Sequence, residues 1–344
     1  MADLLMIRAD ANVNIATGHV MRCLALAQAW QDKGGEVVFV MAESTPAVEK
    51  RLKAEGMDIE RIDAGLGGVQ DRERSCALAL ARSASWVVLD GYHFGADYQQ
   101  SFKAAGHKVL FLDDNGHAKK YCADLVLSQN AHADENIYQC RDSDTRLLLG
   151  PEYALLRREF AAWRDWKREI PAAGSRLLIT FGGSDPDNFT LRVLEALQRV
   201  SVENFEAVVV VGGNNPHLNS LEQAVAKHTD RVRLSSDASN MPELMAWADG
   251  AVAAAGATCW EMCFLSLPAL LLDLAPNQLA TARRLNELGV DLHLGSPQNV
   301  SSRALVEKIQ WLLSSGEERS RMSAAGRKLV DGRGVSRVIS AMGN

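Results

Sequence analysis

The sequence predicts an α/β fold made of two doubly wound, parallel-sheet halves, and three observations predict it. Short β-branched or apolar runs alternate with helix-forming segments along the chain. Those runs read as strands of a sheet covered on both faces, the arrangement that parallel sheets require. Finally, 344 residues exceed what one core usually serves, and a linker-like E-I-P-A-A-G-S over 169–175 separates a first domain, 1–168, from a second, 174–344. Two halves of this kind commonly hold ligands in the cleft between them.

The elements follow in order. Residues 4–7 form a buried strand, and the stretch R-A-D-A-N-V-N-I-A-T-G-H-V-M-R-C-L-A-L-A that begins at Arg8 runs into a helix with Leu24, Ala25, Leu26, Ala27 and Trp30 on its apolar stripe. Gly34-Gly35 ends that helix, and E-V-V-F-V-M over 36–41 is the second strand. Helices are expected over 45–55, 71–83 and 96–105, and strands over 86–90 and 108–113 and within A-D-L-V-L-S-Q-N and R-L-L-L-G. A helix is expected over 151–167. The alternation then restarts with R-L-L-I-T-F, the loop G-G-S-D-P-D-N, a helix, E-A-V-V-V-V-G-G, a helix, R-V-R-L, a helix over 241–247 and A-V-A-A.

Composition excludes several classes. Lys plus Arg number 37 against 43 Asp plus Glu, so the net charge of -6 carries no basic footprint for nucleic acid. The six cysteines lack paired C-x-x-C spacing, which points away from a zinc site or a disulfide scaffold. Cys259 and Cys263, one helical turn apart, read as helix packing. The apolar run before Arg8 is too short for a signal peptide, and the apolar region 251–274 is broken by Glu261, Pro268 and Asp273, so no membrane insertion is expected and the protein is expected in the cytoplasm.

Chemistry is expected where strands end, since open parallel sheets bind ligands beyond their carboxyl ends. His19 sits there, in the first turn of the first helix, where a neutral imidazole can accept a proton; a histidine that merely caps or packs at a helix start is the alternative. Asp10, Asp90 with Tyr92 and His93, Asp113 with Asp114, and Gln129 with Asn130 gather at other strand ends, although each could simply cap a turn. In the second half, Gly182-Gly183 lets backbone approach a ligand, and the segment from Ser184 can cap a helix while leaving N–H groups for phosphate. Gly256, Ala257 and Thr258 open another helix, with Glu261 one turn in and able to accept ribose hydroxyls; a Thr258 to Glu261 capping box explains the same residues without a ligand.

The segment G-A-T-C-W-E-M-C-F-L-S-L-P-A-L-L-L-D-L-A-P-N-Q resembles the uridine-diphosphate region of GT-B, MurG-like glycosyltransferases, which have two Rossmann-like domains. R-A-D-A with G-H-V-M-R-C-L-A-L-A, D-G-Y at 90–92, L-D-D at 112–114, G-P-E-Y-A-L-L-R-R-E-F at 150–160 and F-G-G-S-D at 181–185 resemble the UDP-sugar hydrolases of pseudaminic acid biosynthesis, the PseG family, related to SpsG-type spore-coat proteins. That resemblance implies hydrolysis of UDP-2,4-diacetamido-2,4,6-trideoxy-β-L-altropyranose, without metal or cofactor, by inverting attack of a water. It also implies His19 as the base that activates the water, Tyr92 and the pair Asn277-Gln278 at the sugar, and Glu261 at the ribose; the candidate UDP-binding set is Gly182, Gly183, Ser184, Gly256, Ala257, Thr258 and Glu261. The candidate sugar-binding set is Arg8, Asp10, Tyr92, Asp114, Asn130, Asn277 and Gln278. Gly91 and His93 around the tyrosine depart from the family pattern, and beyond Leu288 the resemblance stops. A glycosyltransferase of the same fold, a UDP-N-acetylhexosamine epimerase and a UDP-sugar binding protein are the rival readings.

Overall fold

Continuous apolar runs can be buried only if both faces of a sheet are covered, and the chain does this twice. The computed structural model describes residues 3–343 apart from 13, 14, 16, 184, 214, 229 and 237. In chain order the first elements are β1 (Leu4–Ala9), α1 (Gly18–Asp32), β2 (Glu36–Met41), α2 (Pro46–Ala54), β3 (Asp58–Arg61), α3 (Val69–Ala81), β4 (Trp86–Asp90), α4 (Ala96–Ala104), β5 (Lys108–Leu112), β6 (Leu125–Ser128) and β7 (Arg146–Leu149). They form one parallel sheet in the order β3-β2-β1-β4-β5-β6-β7. One face of the sheet packs on α1, with Leu24 and Trp30 in its core, and the other on Ala79 of α3 and Tyr98 and Phe102 of α4.

The second set is β8 (Arg176–Thr180), α5 (Phe189–Leu197), β9 (Glu206–Val211), α6 (Leu218–Val225), β10 (Val232–Ser236), α7 (Met241–Trp247), β11 (Gly250–Ala254), α8 (Thr258–Phe264), β12 (Ala269–Leu272), α9 (Leu279–Glu287), β13 (Leu292–Gly295), α10 (Ser302–Ser314) and α11 (Gly316–Leu329). Its sheet runs β10-β9-β8-β11-β12-β13 and is also parallel. Both orders reverse direction after the first strand of the set, which places a topological switch point between β1 and β4 and another between β8 and β11.

Residues 159–332 form one compact unit, and the remainder, including α12 (Gly334–Ala341), forms the other. Helix α12 sends Val338, Ile339 and Met342 into the first core. It approaches so closely that a Cβ on Gly334 would lie 2.3 Å from the Ala154 carbonyl oxygen, so only glycine fits there. The segment after the first sheet corrects the expectation of a helix over 151–167. Two 3-10 turns, Pro151–Tyr153 and Arg158–Trp163, flank a stretch whose backbone bonds are spent elsewhere: the Leu155 N–H donates to Gln129 Oε1 (3.0 Å) and the Arg158 N–H to Gln28 Oε1 (2.8 Å). Donors used by distant side chains cannot close i to i−4 bonds.

The linker belongs to the second unit because arginines fasten it there. Arg168 donates to the Leu265 carbonyl (3.1 Å), the Met245 carbonyl (2.6 Å) and the Ala248 carbonyl, the orphan acceptors at the ends of α7 and α8. Burial, with no carboxylate bonded to it, brings this guanidinium down to about 10. Arg319 does the same for α10, donating to the Leu312 carbonyl (2.7 Å) and to Pro171 of the linker (2.6 Å). Among the described residues, no helix is long and apolar enough to cross a membrane.

Candidate active site

The switch point of the first sheet is filled by charge. His19, Arg22 and Cys23 share one face of α1 by their i, i+3 and i+4 spacing, and all three reach Asp90, the last residue of β4. His19 Nδ1 lies 2.6 Å from Asp90 Oδ1. Arg22 grips the same carboxylate in a fork, Nε to Oδ2 at 2.6 Å and Nη2 to Oδ1 at 2.7 Å, and its Nη1 donates to Asp114 Oδ1 at 2.6 Å. The Cys23 thiol adds a weak donor at 3.4 Å from Asp90 Oδ2.

Burial by itself would raise the Asp90 carboxyl, but Arg22 and His19 outweigh it and hold the group well below the usual carboxylate range. Asp114 is lowered in the same way, burial opposing and Arg22 prevailing. With its Nδ1–H given to the ionised Asp90, the imidazole would keep an Nε2 lone pair able to take a proton. The His19 side chain keeps 13% of its surface exposed while Asp90 keeps none. The arrangement is an imidazole that solvent can reach, held by a carboxylate that solvent cannot.

Around this pair stands an aromatic and amide wall. Tyr92 donates its hydroxyl to Asp114 Oδ2 (2.8 Å), and Asn130 Nδ2 donates to the carbonyl and to Oδ1 of Asp114 (3.1 Å each). The Tyr92 ring stands edge-on to His19 (5.1 Å between centroids) and to His117 (5.4 Å), and at 41% exposure it remains open to a ligand. His117 Nδ1 is 3.2 Å from Asp113 Oδ2; burial would lower this imidazole, and the carboxylate more than reverses that.

Arg8 and Asp10 differ from the expectation that they meet the sugar. Both are buried, at 0% and 1% exposure. Arg8 pairs with Asp71 (3.0 and 2.8 Å) and Asp10 (2.6 Å), while Asp10 Oδ1 accepts the backbone N–H groups of Ala42 and Glu43 (2.8 and 2.9 Å). The Arg8 guanidinium is held by two carboxylates, so these residues brace the end of β1.

The switch point of the second sheet is lined by small residues. Gly182-Gly183 follows β8, and Gly256-Ala257 follows β11, the strand hydrogen-bonded beside it. Gly182 has φ +83, which a side chain disfavours. Ser184 lies outside the described residues. The expectation that α5 leaves N–H groups for phosphate is corrected: Asp185 accepts the N–H groups of Phe189 (2.9 Å) and Thr190 (2.8 Å) and is itself the anion at that helix start. The capping-box alternative for Thr258 and Glu261 is also corrected, because α8 begins at Thr258 after Ala257, with no side-chain cap bond. Glu261 is half-buried in the first turn of that short helix. Gln278 faces the switch point, its Nε2 lying 3.8 Å from where a Cβ on Gly256 would stand, and Asn277 precedes it in a 3-10 turn.

Sequence reasoning found His19, Tyr92 and Asp114 but not Arg22, whose place three residues after His19 on the same helix face was the available signal. It noted Asp90 as a strand end without seeing its grip on His19.

Comparisons with known proteins agree with this architecture. Residues 177–333 match the Glycosyltransferase family 28 C-terminal domain. The spore coat polysaccharide biosynthesis protein SpsG of Bacillus subtilis (strain 168) is 28% identical over 235 residues, 68% of each chain. A UDP-N-acetylglucosamine--N-acetylmuramyl-(pentapeptide) pyrophosphoryl-undecaprenol N-acetylglucosamine transferase of Leuconostoc mesenteroides subsp. mesenteroides is 30% identical over 142 residues, 40% of this chain and 39% of that one. The crystal structure of MurG from Acinetobacter baumannii has a TM-score of 0.66 over 100% of this chain and 99% of that one, at 16% identity. The fold is GT-B, with two Rossmann-like parallel-sheet domains, and the second of them is similar to the glycosyltransferase family 28 C-terminal domain.

Proposed function

We propose that the protein hydrolyses a UDP-linked, N-acetylated amino sugar, UDP-2,4-diacetamido-2,4,6-trideoxy-β-L-altropyranose by its resemblance to the PseG family, with His19 as general base. The observation that carries the reading is the His19 Nδ1 to Asp90 Oδ1 contact of 2.6 Å, made by an imidazole with 13% of its side chain exposed. In the step, Nε2 takes a proton from water as the water oxygen bonds to the anomeric carbon. The bond from that carbon to the pyrophosphate oxygen breaks, UDP leaves as an anion, and the centre inverts. No nucleophilic carboxylate takes part. General-base catalysis supplies about 10²- to 10⁴-fold, and Arg22 serves it by keeping Asp90 ionised and in place. Tyr92, Asp114 and Asn130 belong to the sugar side of the site. Gly182, Gly183, Gly256, Ala257, Thr258 and Glu261 would hold UDP, with Asn277 and Gln278 toward its sugar.

A second reading has its own support: the match of residues 177–333 to a glycosyltransferase domain favours transfer of the sugar to an acceptor hydroxyl, deprotonated by the same His19. Purified protein incubated with the UDP-sugar in ¹⁸O-water and no acceptor separates the two. Hydrolysis releases free sugar carrying the label and unlabelled UDP. Release that depends strictly on an added acceptor would establish the transferase instead.

A further inference from the structure

The carboxyl end of β12 carries a second imidazole and carboxylate pair, which the reading above does not use. Asp273, the first residue after β12, contacts His293 Nε2 through Oδ1 at 2.5 Å, with 12% and 13% of their side chains exposed. His293 lies on the edge strand β13, where the ladder is irregular: Leu271 pairs with His293 but Leu272 pairs with Gly295, so Leu294 is an extra residue. Gly295 accommodates the bulge with φ +98, and its carbonyl accepts the Asp273 N–H at 3.3 Å. From the other side Asn286 of α9 accepts the His293 N–H at 3.1 Å. The chain leaving β12 is thus tied to the edge strand by side chain and by backbone, and the edge strand is tied to α9, the helix before it.

What leaves β12 there is the loop 273–278, which ends in Asn277 and Gln278. Gln278 closes it from the far end, its Oε1 accepting the Leu274 N–H at 2.9 Å. With Oε1 so engaged, the amide is oriented and its Nε2 is the end turned toward Gly256. A donor held at that place suits an oxygen of the sugar, a hydroxyl or an acetamido carbonyl.

We infer that Asp273 and His293 are positioning residues for the loop 273–278 and so determine how well the second unit distinguishes a UDP-sugar from UDP. The inference rests on the function proposed above, in which Asn277 and Gln278 face the sugar. Bulges recur beside functional sites because they re-aim side chains, and a charge-assisted pair next to one holds the new direction.

The test is binding of UDP and of UDP-2,4-diacetamido-2,4,6-trideoxy-β-L-altropyranose by calorimetry, in a His19→Ala background so that the sugar nucleotide is not consumed. His293→Ala should leave UDP affinity within about twofold and weaken the UDP-sugar by about tenfold, or about 1.4 kcal/mol. His293→Gln, whose Nε2 can stand where the imidazole Nε2 stood, should recover most of that loss. An equal loss for both ligands, no loss for either, or a glutamine variant as impaired as the alanine one would overturn the inference. Failure of the proposed function shows elsewhere, as absence of acceptor-independent turnover in the protein with His19 intact.

Discussion

The two sheets share a strand order and a switch point, yet their strand ends are chemically opposite. In the first unit the ends of β1, β4 and β5 carry the buried Asp10, Asp90 and Asp113 and the half-buried Asp114, paired with Arg8, His19, Arg22 or His117. In the second unit, the ends of β8 and β11 carry Gly182-Gly183 and Gly256-Ala257. The difference teaches that a doubly wound sheet supplies a place and that side chains decide its use. Filled with ionised groups, the place can move a proton. Left to glycine and alanine, it leaves backbone for a ligand to approach.

Removing the base tests this contrast most severely. His19→Ala should lower turnover at saturating substrate by about 10²- to 10⁴-fold while UDP binding, measured by calorimetry, stays near that of the native protein. Unchanged turnover would remove the first unit from the chemistry. Next in size, Arg22→Met should destabilise the fold by about 3 to 5 kcal/mol in denaturant titration, since it leaves the buried Asp90 and the half-buried Asp114 without their shared cation. A loss under 1 kcal/mol would mean that the charged end of the first sheet is not held together as described.

Glu261→Ala probes the other switch point. It should raise the Michaelis constant with little effect on turnover at saturation, a loss of about 1.5 to 3 kcal/mol for hydrogen bonds to a charged group. A fall in turnover with an unchanged Michaelis constant would place Glu261 among the reacting groups.

The smallest effect is in pH dependence, where the units again differ. Burial raises Asp291, in the second unit, from 3.8 to about 7; its Oδ1 accepts the Ala269 N–H, and among the described residues Oδ2 has no partner. The native state therefore holds a proton that the unfolded chain has lost, and this group makes stability fall as pH rises from 3.8 toward 7. Asp90 and Asp114 in the first unit are lowered, so their contribution is present above 3.8 and is lost as pH falls below it. Asp291→Asn, neutral at every pH, should flatten the decline in melting temperature between about pH 4 and pH 7 and leave the acid limb unchanged. A decline as steep as in the native protein would show that Asp291 does not cause it.

Much of the fold was legible before any coordinates. The second strand was expected at 36–41 and the fourth at 86–90, where β2 and β4 begin and end, because a strand buried on both faces must be apolar along its whole length. Of the four edge strands, β7 and β10 were expected and two escaped: β3, D-I-E-R, and β13, L-H-L-G, are short and half exposed, so no continuous apolar run marks them. The helix expected over 151–167 had suitable composition but lost its backbone donors to Gln129 and Gln28. In the site, His19 was legible from its place where a strand end enters a helix and from the resemblance of G-H-V-M-R-C-L-A-L-A to the PseG family. Arg22 was not, since on sequence alone it is one more basic residue on a helix.

The sequence by itself determined the alternation of strands and helices and the residue types at the strand ends, since each follows from local polarity and turn chemistry. Only the tertiary structure decided which of those ends meet. His19 and Asp90 are 71 residues apart, Arg22 and Asp114 are 92, and they touch because β1 lies beside β4 and β4 beside β5. That adjacency depends on the order in which strands join the sheet, and no local run of residues encodes it.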